Sequence, residues 1–241
     1  MGNLKIKMIL FDLDGTLLPM DQSTFVKAYF GLLAKKLSSH GYEPEKLIQS
    51  IWEGTKEMVL NNGQNSNEQV FWNKMREIYG EQIINDICLF DEYYVQDFDK
   101  VQDSCGFNEN AKIVVDRAKE LGLRVALATN PIFPKIATVK RVKWAGLDVS
   151  DFEYFTTYEN SKYCKPNIEY YIDILKTLNV NPSECLMVGN DVSEDMIAKE
   201  LGLQVFLLTD CLINKHNVDI SAYPQGTFKD LVLFLEANSN Y

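Results

Sequence analysis

The sequence predicts an α/β fold, a doubly wound parallel sheet with a helical segment inserted after its first strand. Three observations predict it. Short apolar runs rich in branched residues recur at 5–11, 124–129, 185–188 and 204–208, and helical patterns precede or separate the last three. Between 19 and 106 the alternation stops, and helical periodicity continues almost without a break. Strands that alternate with helices over short connections build parallel sheets, whose ligands bind beyond the carboxyl ends of the strands.

Taken in order, the run at 5–11 (KIKMILF) suits a strand buried on both faces, and it ends in the turn Asp12-Leu13-Asp14-Gly15-Thr16. The segment from 19 to 106 is far too long for an unstructured loop. Its patterns place helices at about 23–39, 44–61, 67–79 and 81–90, with Ser66 and Gln69 spaced as a capping box. The polar stretch 61–67 (NNGQNSN) punctuates it. A further helix at about 109–121 has Asn108 as its N-cap candidate and Gly122 just past its end. Its apolar face is Ala111, Val114, Val115, Ala118 and Leu121. RVALAT at 124–129, CLMV at 185–188 and QVFLL at 204–208 are the remaining strands, with helices expected at 135–145, 168–178 and 193–201.

Composition narrows the function. The chain has 241 residues, 46% of them hydrophobic, which is enough for one good core and a smaller companion. Its formal net charge is −10, with no long basic run and no zinc-finger, homeodomain or RNP pattern, so no nucleic-acid partner is expected. An acidic surface also repels phosphorylated small molecules, and a phosphate site here needs a local cation. The five cysteines form no CxxC pair and read as reduced thiols. No signal-peptide pattern or membrane span is present in the sequence, and a cytoplasmic protein with no membrane partner is expected. Nothing in the sequence sets an oligomeric state.

The chemistry-bearing residues fall where strands end. Asp12 and Asp14 follow the first strand, Thr129 and Asn130 end VALATN, Lys165-Pro166 precedes a helix, and Gly189-Asn190-Asp191 with Asp195 ends LMVGND. Alone, each is an ordinary turn or helix start. In this order, each beyond its own strand or before its own helix, they converge on one sheet edge. Two carboxylates gathered there call for a cation. His40 and His216 are isolated, and no GxSxG, Walker A or GxGxxG occurs, which leaves other site types without material.

These four groups resemble the four motifs of the haloacid dehalogenase superfamily, and the insertion resembles the helical C1 cap of its phosphatase-like members. The resemblance implies a Rossmann-like core at 1–18 and 107–241 and a helical cap at 19–106. It also implies a Mg²⁺-dependent phosphatase acting on a small phosphorylated metabolite. Asp12 would be the nucleophile that becomes an aspartyl-phosphate, and Asp14 the general acid and then base. Thr129 and the Asn130 amide would hold phosphate oxygens, while Lys165 would pair with the nucleophile and the transferring group. Mg²⁺ would sit among the Asp12 carboxylate, the Asp14 carbonyl and Asp191, with Asp195 in or beside its shell.

Lys162 competes weakly for the lysine role, and Pro166 decides for Lys165. Asp14 argues against a dehalogenase, since those relatives lack the second acid of the first motif. A phosphomutase shares all four motifs. A phosphonate hydrolase would need a cap lysine, for which Lys56 and Lys74 are the candidates. A regulatory protein that binds phosphate without turnover predicts damage to Asp12, Asp14, Lys165 or Asp191, and all four stand. Trp52, Trp72 and the Tyr93-Tyr94 pair are expected in helix packing, and substrate choice is expected to depend on the cap and its polar turn at 61–67.

Overall fold

The computed structural model describes residues 6–238, so Lys5 of the first expected strand lies outside the described residues. Five strands form one parallel sheet in the order β2-β1-β3-β4-β5. They are β1 (Met8–Phe11), β2 (Arg124–Leu127), β3 (Cys185–Gly189), β4 (Gln204–Leu208) and β5 (Gln225–Gly226). Successive side chains on a strand point to opposite faces, so each strand feeds two cores. Ile9, Phe11, Val125, Leu127, Leu186, Val188 and Phe206 face one; Met8, Leu10, Ala126, Cys185, Met187 and Val205 face the other. That double burial is why the strands read as continuous apolar runs.

Helices α1 (Gln22–Ser38), α2 (Pro44–Val59), α3 (Asn67–Tyr79), α4 (Gln82–Asn85) and α5 (Ile87–Gln96) follow β1. Next come α6 (Asn110–Glu120), α7 (Lys135–Trp144), α8 (Ile168–Leu178) and α9 (Phe228–Asn238). On the first face α6 buries Ala111, Val114, Val115 and Ala118 of the expected stripe, with Leu121 half-buried at its C-cap, beside Leu231 and Leu235 of α9. On the second, α8 buries Tyr170, Tyr171, Ile174, Leu175 and Leu178. No described helix is long and apolar enough to cross a membrane.

The insertion is helical, as its periodicity predicts. Ser66 and Gln69 form the capping box, with the Ser66 hydroxyl accepting from the Gln69 amide and the Gln69 side chain accepting from the Ser66 amide. Two differences from the sequence reading have local causes. The helix expected at 81–90 breaks at Asp86, whose carboxylate accepts from the Tyr42 hydroxyl at 2.8 Å, and α5 then continues to Gln96. The helix expected at 193–201 is a 3₁₀ turn over Met196–Leu201, because the Asp191 carboxylate captures the Ser193 and Glu194 amides and delays its start. The chain enters and leaves the insertion through one stem: Met20 bridges Cys105, and the Gly106 amide donates to the Pro19 carbonyl at 2.7 Å.

Candidate active site

The sheet order reverses at β1, from which the chain crosses to β2 on one side while β3 packs on the other. Such a switch point opens a crevice beyond the strand ends. Asp12 is the first residue after β1, and its amide still donates to the Val188 carbonyl of β3 at 2.9 Å, so the sheet itself fixes its backbone. Gly15 follows at φ +83°, where a Cβ would lie 2.4 Å from Asn190 Nδ2. Only glycine lets this turn close against the loop after β3.

The Asp12 carboxylate accepts from Lys165 Nζ at 2.9 Å through Oδ1 and from the Thr16 hydroxyl at 3.0 Å through Oδ2. Lys165 is 1% exposed, and its ammonium also donates to Asp195 Oδ1 at 2.6 Å. Burial pushes the Lys165 pKa down, but the carboxylates of Asp12 and Asp195 outweigh it and hold the group well above the ordinary lysine value. Lys162 is exposed. Asp195 is pushed up by its own burial against the pull of Lys165. Its second oxygen accepts from the Asp191 amide at 3.0 Å, so both oxygens have protein partners. Gly189 makes this possible, since a Cβ there would lie 2.0 Å from Asp195 Oδ2.

Asp191 Oδ1 accepts from the Ser193 and Glu194 amides at 2.8 and 3.0 Å, while Oδ2 has no partner among the described residues. Thr129 is buried two residues beyond β2, and its carbonyl accepts from the Thr156 and Tyr170 hydroxyls at 2.6 and 2.8 Å. Asn130 bridges loops: its Oδ1 accepts from the Lys165 amide at 3.3 Å, and its Nδ2 donates to Glu194 at 3.1 Å. Burial pushes the Glu194 carboxyl up to about 7. The structure thus brings Asp12, Asp14, Thr129, Asn130, Lys165, Asp191 and Asp195 together at one sheet edge, and all of these except Lys165 line a cavity of about 370 Å³.

Asp14 points one oxygen at a group that no motif reading names. Its Oδ2 is ion-paired to Arg141 of α7, a fully buried guanidinium that also lies 4.5 Å over the Phe133 ring. Its Oδ1 is buried with no partner among the described residues. Burial raises the Asp14 pKa, and Arg141 opposes it. The sequence held one signal for Arg141: it shares the inward face of α7 with Ala137, Thr138 and Val142, an odd place for a charge without a partner. Glu194 carried none, lying in a turn between two expected site residues.

The polar turn at 61–67 faces the core loops rather than the cavity. Fully buried Asn67 donates to the Pro131 carbonyl at 3.2 Å and lies 3.3 Å from the Cys164 sulfur, while its Oδ1 accepts from Asn61 at 2.9 Å. None of residues 61–67 lines the cavity, which is walled instead by α1, α2, α3 and α5. Neither Lys56 nor Lys74 lines it. Trp72, Tyr93 and Tyr94 are buried as expected, Trp72 and Tyr94 also reach the cavity wall, and Trp52, 50% exposed, stands on that wall as well. No group of three or more His, Cys, Asp or Glu side chains among the described residues is poised to hold a metal unaided. A cation here would draw on the Asp12 and Asp191 carboxylates together with a backbone carbonyl.

Comparison with known proteins fits this geometry. A family model described as haloacid dehalogenase-like hydrolase matches residues 6–209. A Bacillus subtilis (strain 168) protein named "Putative phosphatase YhcW" is 32% identical over 94 residues, which are 39% of this chain and 41% of that relative. The match therefore spans less than half of the relative's length. The crystal structure of a HAD phosphatase from Thermococcus onnurineus superposes with a TM-score of 0.58 at 18% identity, covering 98% of this chain and 100% of that one. The magnesium-bound "putative HAD-hydrolase YfnB" from Bacillus subtilis gives 0.56 at 14% identity, covering 96% and 99%. These two share the fold. The family match takes in every strand from β1 to β4 and each of the four loops that converge on Asp12, and by it this chain belongs to the haloacid dehalogenase-like hydrolases.

Proposed function

We propose that this hydrolase is a Mg²⁺-dependent phosphatase that acts on a small phosphorylated metabolite through an aspartyl-phosphate on Asp12. One observation carries the reading: a carboxylate fixed at the switch point, bonded to the buried Lys165 at 2.9 Å, opens onto a cavity that also receives Asp14, Thr129, Asn130 and Asp191. Names among its relatives point the same way, since YhcW and the Thermococcus onnurineus protein are both described as phosphatases.

In the first step an Asp12 oxygen attacks phosphorus, the bond from phosphorus to the leaving oxygen breaks, and that oxygen takes its electron pair and a proton from Asp14. In the second, water attacks the phosphorus of the acyl phosphate and gives its proton back to Asp14, and Asp12 departs as a carboxylate. Arg141 grips one Asp14 oxygen and leaves the other, Oδ1, without a protein partner among the described residues, so a small turn of this cavity-lining side chain would bring it to the leaving oxygen. Lys165 offsets negative charge gathering at Asp12, while the Thr129 hydroxyl and the Asn130 amide hold equatorial oxygens. Hard oxygen donors with few side-chain ligands suit Mg²⁺, which keeps several waters; the Asp12 carboxylate, the Asp14 carbonyl and Asp191 would hold it, with Asp195 beside them. When bound it supplies positive charge to the transferring group.

Residues 19–106 act in this reading as a cap on a core of 1–18 and 107–241, joined through the stem at Pro19–Met20 and Cys105–Gly106. Cap lysines outside the cavity give a phosphonate hydrolase nothing to build on. The test is phosphate release from p-nitrophenyl phosphate by the purified chain. Hydrolysis with Mg²⁺, loss in EDTA and a drop of at least about 10³-fold in Asp12→Asn are expected. A near wild-type rate in EDTA or in that variant would overturn the proposal.

A further inference from the structure

The cavity that receives Asp12 continues into the helical insertion, and its two ends differ in chemistry. The sheet end carries carboxylates; the far end is a chamber of rings. Phe25, Phe30, Trp52, Phe71, Phe90 and Tyr94 stand on it, from four different helices, and Ile51 and Val59 share the wall. Polar groups are few there: Gln22, Trp72, Asp91 and Tyr158 stand on the wall, and Trp72 Nε1 is buried with no partner among the described residues. The Tyr29 and Tyr94 hydroxyls bond each other at 2.8 Å, which leaves one proton between them for a ligand, and the Thr55 hydroxyl donates to the Ile51 carbonyl at 2.8 Å. Among the charged side chains on the wall, Asp12, Asp14, Asp91, Asp191, Glu194 and Asp195 are acidic and Lys215 is basic.

Each feature rules on the organic part of a substrate. A polyhydroxylated leaving group would bury several hydroxyls where six rings face it and polar partners are few, and burying a polar group without a partner is costly. A carboxylated one would bring further negative charge to an acidic wall. An aromatic ring replaces water against other rings and can meet them edge-on or offset. A volume of about 370 Å³ lies at the lower end of small-molecule sites.

We infer that the site takes phosphate monoesters of aromatic alcohols, with the phosphate at Asp12 and the ring among the side chains of α1, α2, α3 and α5. The inference rests on the phosphatase reading for its chemistry, but on the chamber alone for its preference. Aryl phosphates would confuse the test, because phenols leave readily without help. The comparison is therefore 2-phenylethyl phosphate against n-propyl phosphate and glycerol 1-phosphate, all esters of alkyl alcohols.

With Mg²⁺ and the full chain, kcat/KM for 2-phenylethyl phosphate should exceed both others by at least about 30-fold. Trp52→Ala, at a half-exposed position, should cut that ratio about fivefold or more, and Trp52→Phe should restore most of it. Ratios near one, or a ratio that Trp52→Ala leaves unchanged, overturn the inference while leaving the phosphatase reading intact. If no ester is hydrolysed, and acetyl phosphate is not either, the phosphatase reading fails and binding decides the chamber. Quenching of tryptophan fluorescence by 2-phenylethyl phosphate at a concentration at least tenfold below that for n-propyl phosphate would support it, and equal midpoints would overturn it.

Discussion

Replacing Lys165 with methionine should expose how the site is held together. Lys165 is 1% exposed and bonds Asp12 at 2.9 Å and Asp195 at 2.6 Å. At an effective dielectric of about 20, each contact is worth roughly 6 kcal/mol of gross attraction. Desolvating the three ions costs several kcal/mol apiece and cancels much of that, so the intact triad adds little net stability. Removing the cation alone is different. The carboxylates stay buried, the attraction vanishes, and losses of about 3–5 kcal/mol follow when a buried pair is broken in this way. That is a large share of the roughly 5–15 kcal/mol that stabilises a domain. Urea unfolding in EDTA, followed by tryptophan fluorescence, should show a midpoint about 1 to 2 M lower. The double variant Lys165→Met/Asp195→Asn should regain at least half of the loss, because the amide removes one stranded charge and keeps an oxygen for the Asp191 amide. Neither variant should hydrolyse phosphate esters. A midpoint within about 0.3 M of wild type for the single variant, or a double variant no more stable than it, would refute the reasoning.

Two further outcomes follow from the packing. Gly189→Ala places a methyl 2.0 Å from Asp195 Oδ2, so Asp195 must swing away from Lys165 and the Asp191 amide. Stability should fall by about 1–3 kcal/mol and kcat by at least about tenfold; wild-type kinetics would show that Asp195 orients nothing. Asn67→Ala removes buried bonds to Asn61 and Pro131, which should cost about 2–4 kcal/mol. Amide exchange should then speed up first at 61–67 and at 158–164, where the Asn67 and Glu68 amides bond Ser161 and Tyr158. Uniform faster exchange across the whole chain would argue against a local clasp.

Much of this molecule is legible in the sequence because its signals are local. A strand buried on two faces reads as an unbroken apolar run, and Met8–Phe11 and Gln204–Leu208 appear that way. Site residues that sit in turns directly after such strands inherit their position from the strand. Lys165 is a further case, fixed in the reading by Pro166 and in space by Asp12. What escapes notice is set by contacts distant in sequence. β5 is two residues long and carries no period. The delayed start of the turn at Met196–Leu201 follows from the Asp191 carboxylate, which no helical pattern registers. Arg141 finds Asp14 across 127 positions, and the polar turn at 61–67 turns toward Pro131 and Cys164 for the same reason. The C-terminal helix α9 did carry a signal, Phe228, Leu231 and Leu235 on one face, but only the packed sheet shows what that face covers.

The central claim is that Asp12 takes the phosphoryl group and Asp14 moves the protons. Asp14→Asn keeps the backbone carbonyl in place and leaves Arg141 a neutral oxygen to bond, so the fold and phosphate binding should survive. Without the base, hydrolysis of the acyl phosphate slows for every substrate, and without the acid, transfer from alkyl esters slows as well. Acetate leaves acetyl phosphate without needing a proton, so acetyl phosphate should still phosphorylate the variant. After an acid quench, peptide mass spectrometry should find a single phosphate on the peptide that contains Asp12, absent from Asp12→Asn treated in the same way. Normal turnover of 2-phenylethyl phosphate by Asp14→Asn, or a phosphate that persists when Asp12 is replaced, would contradict the account.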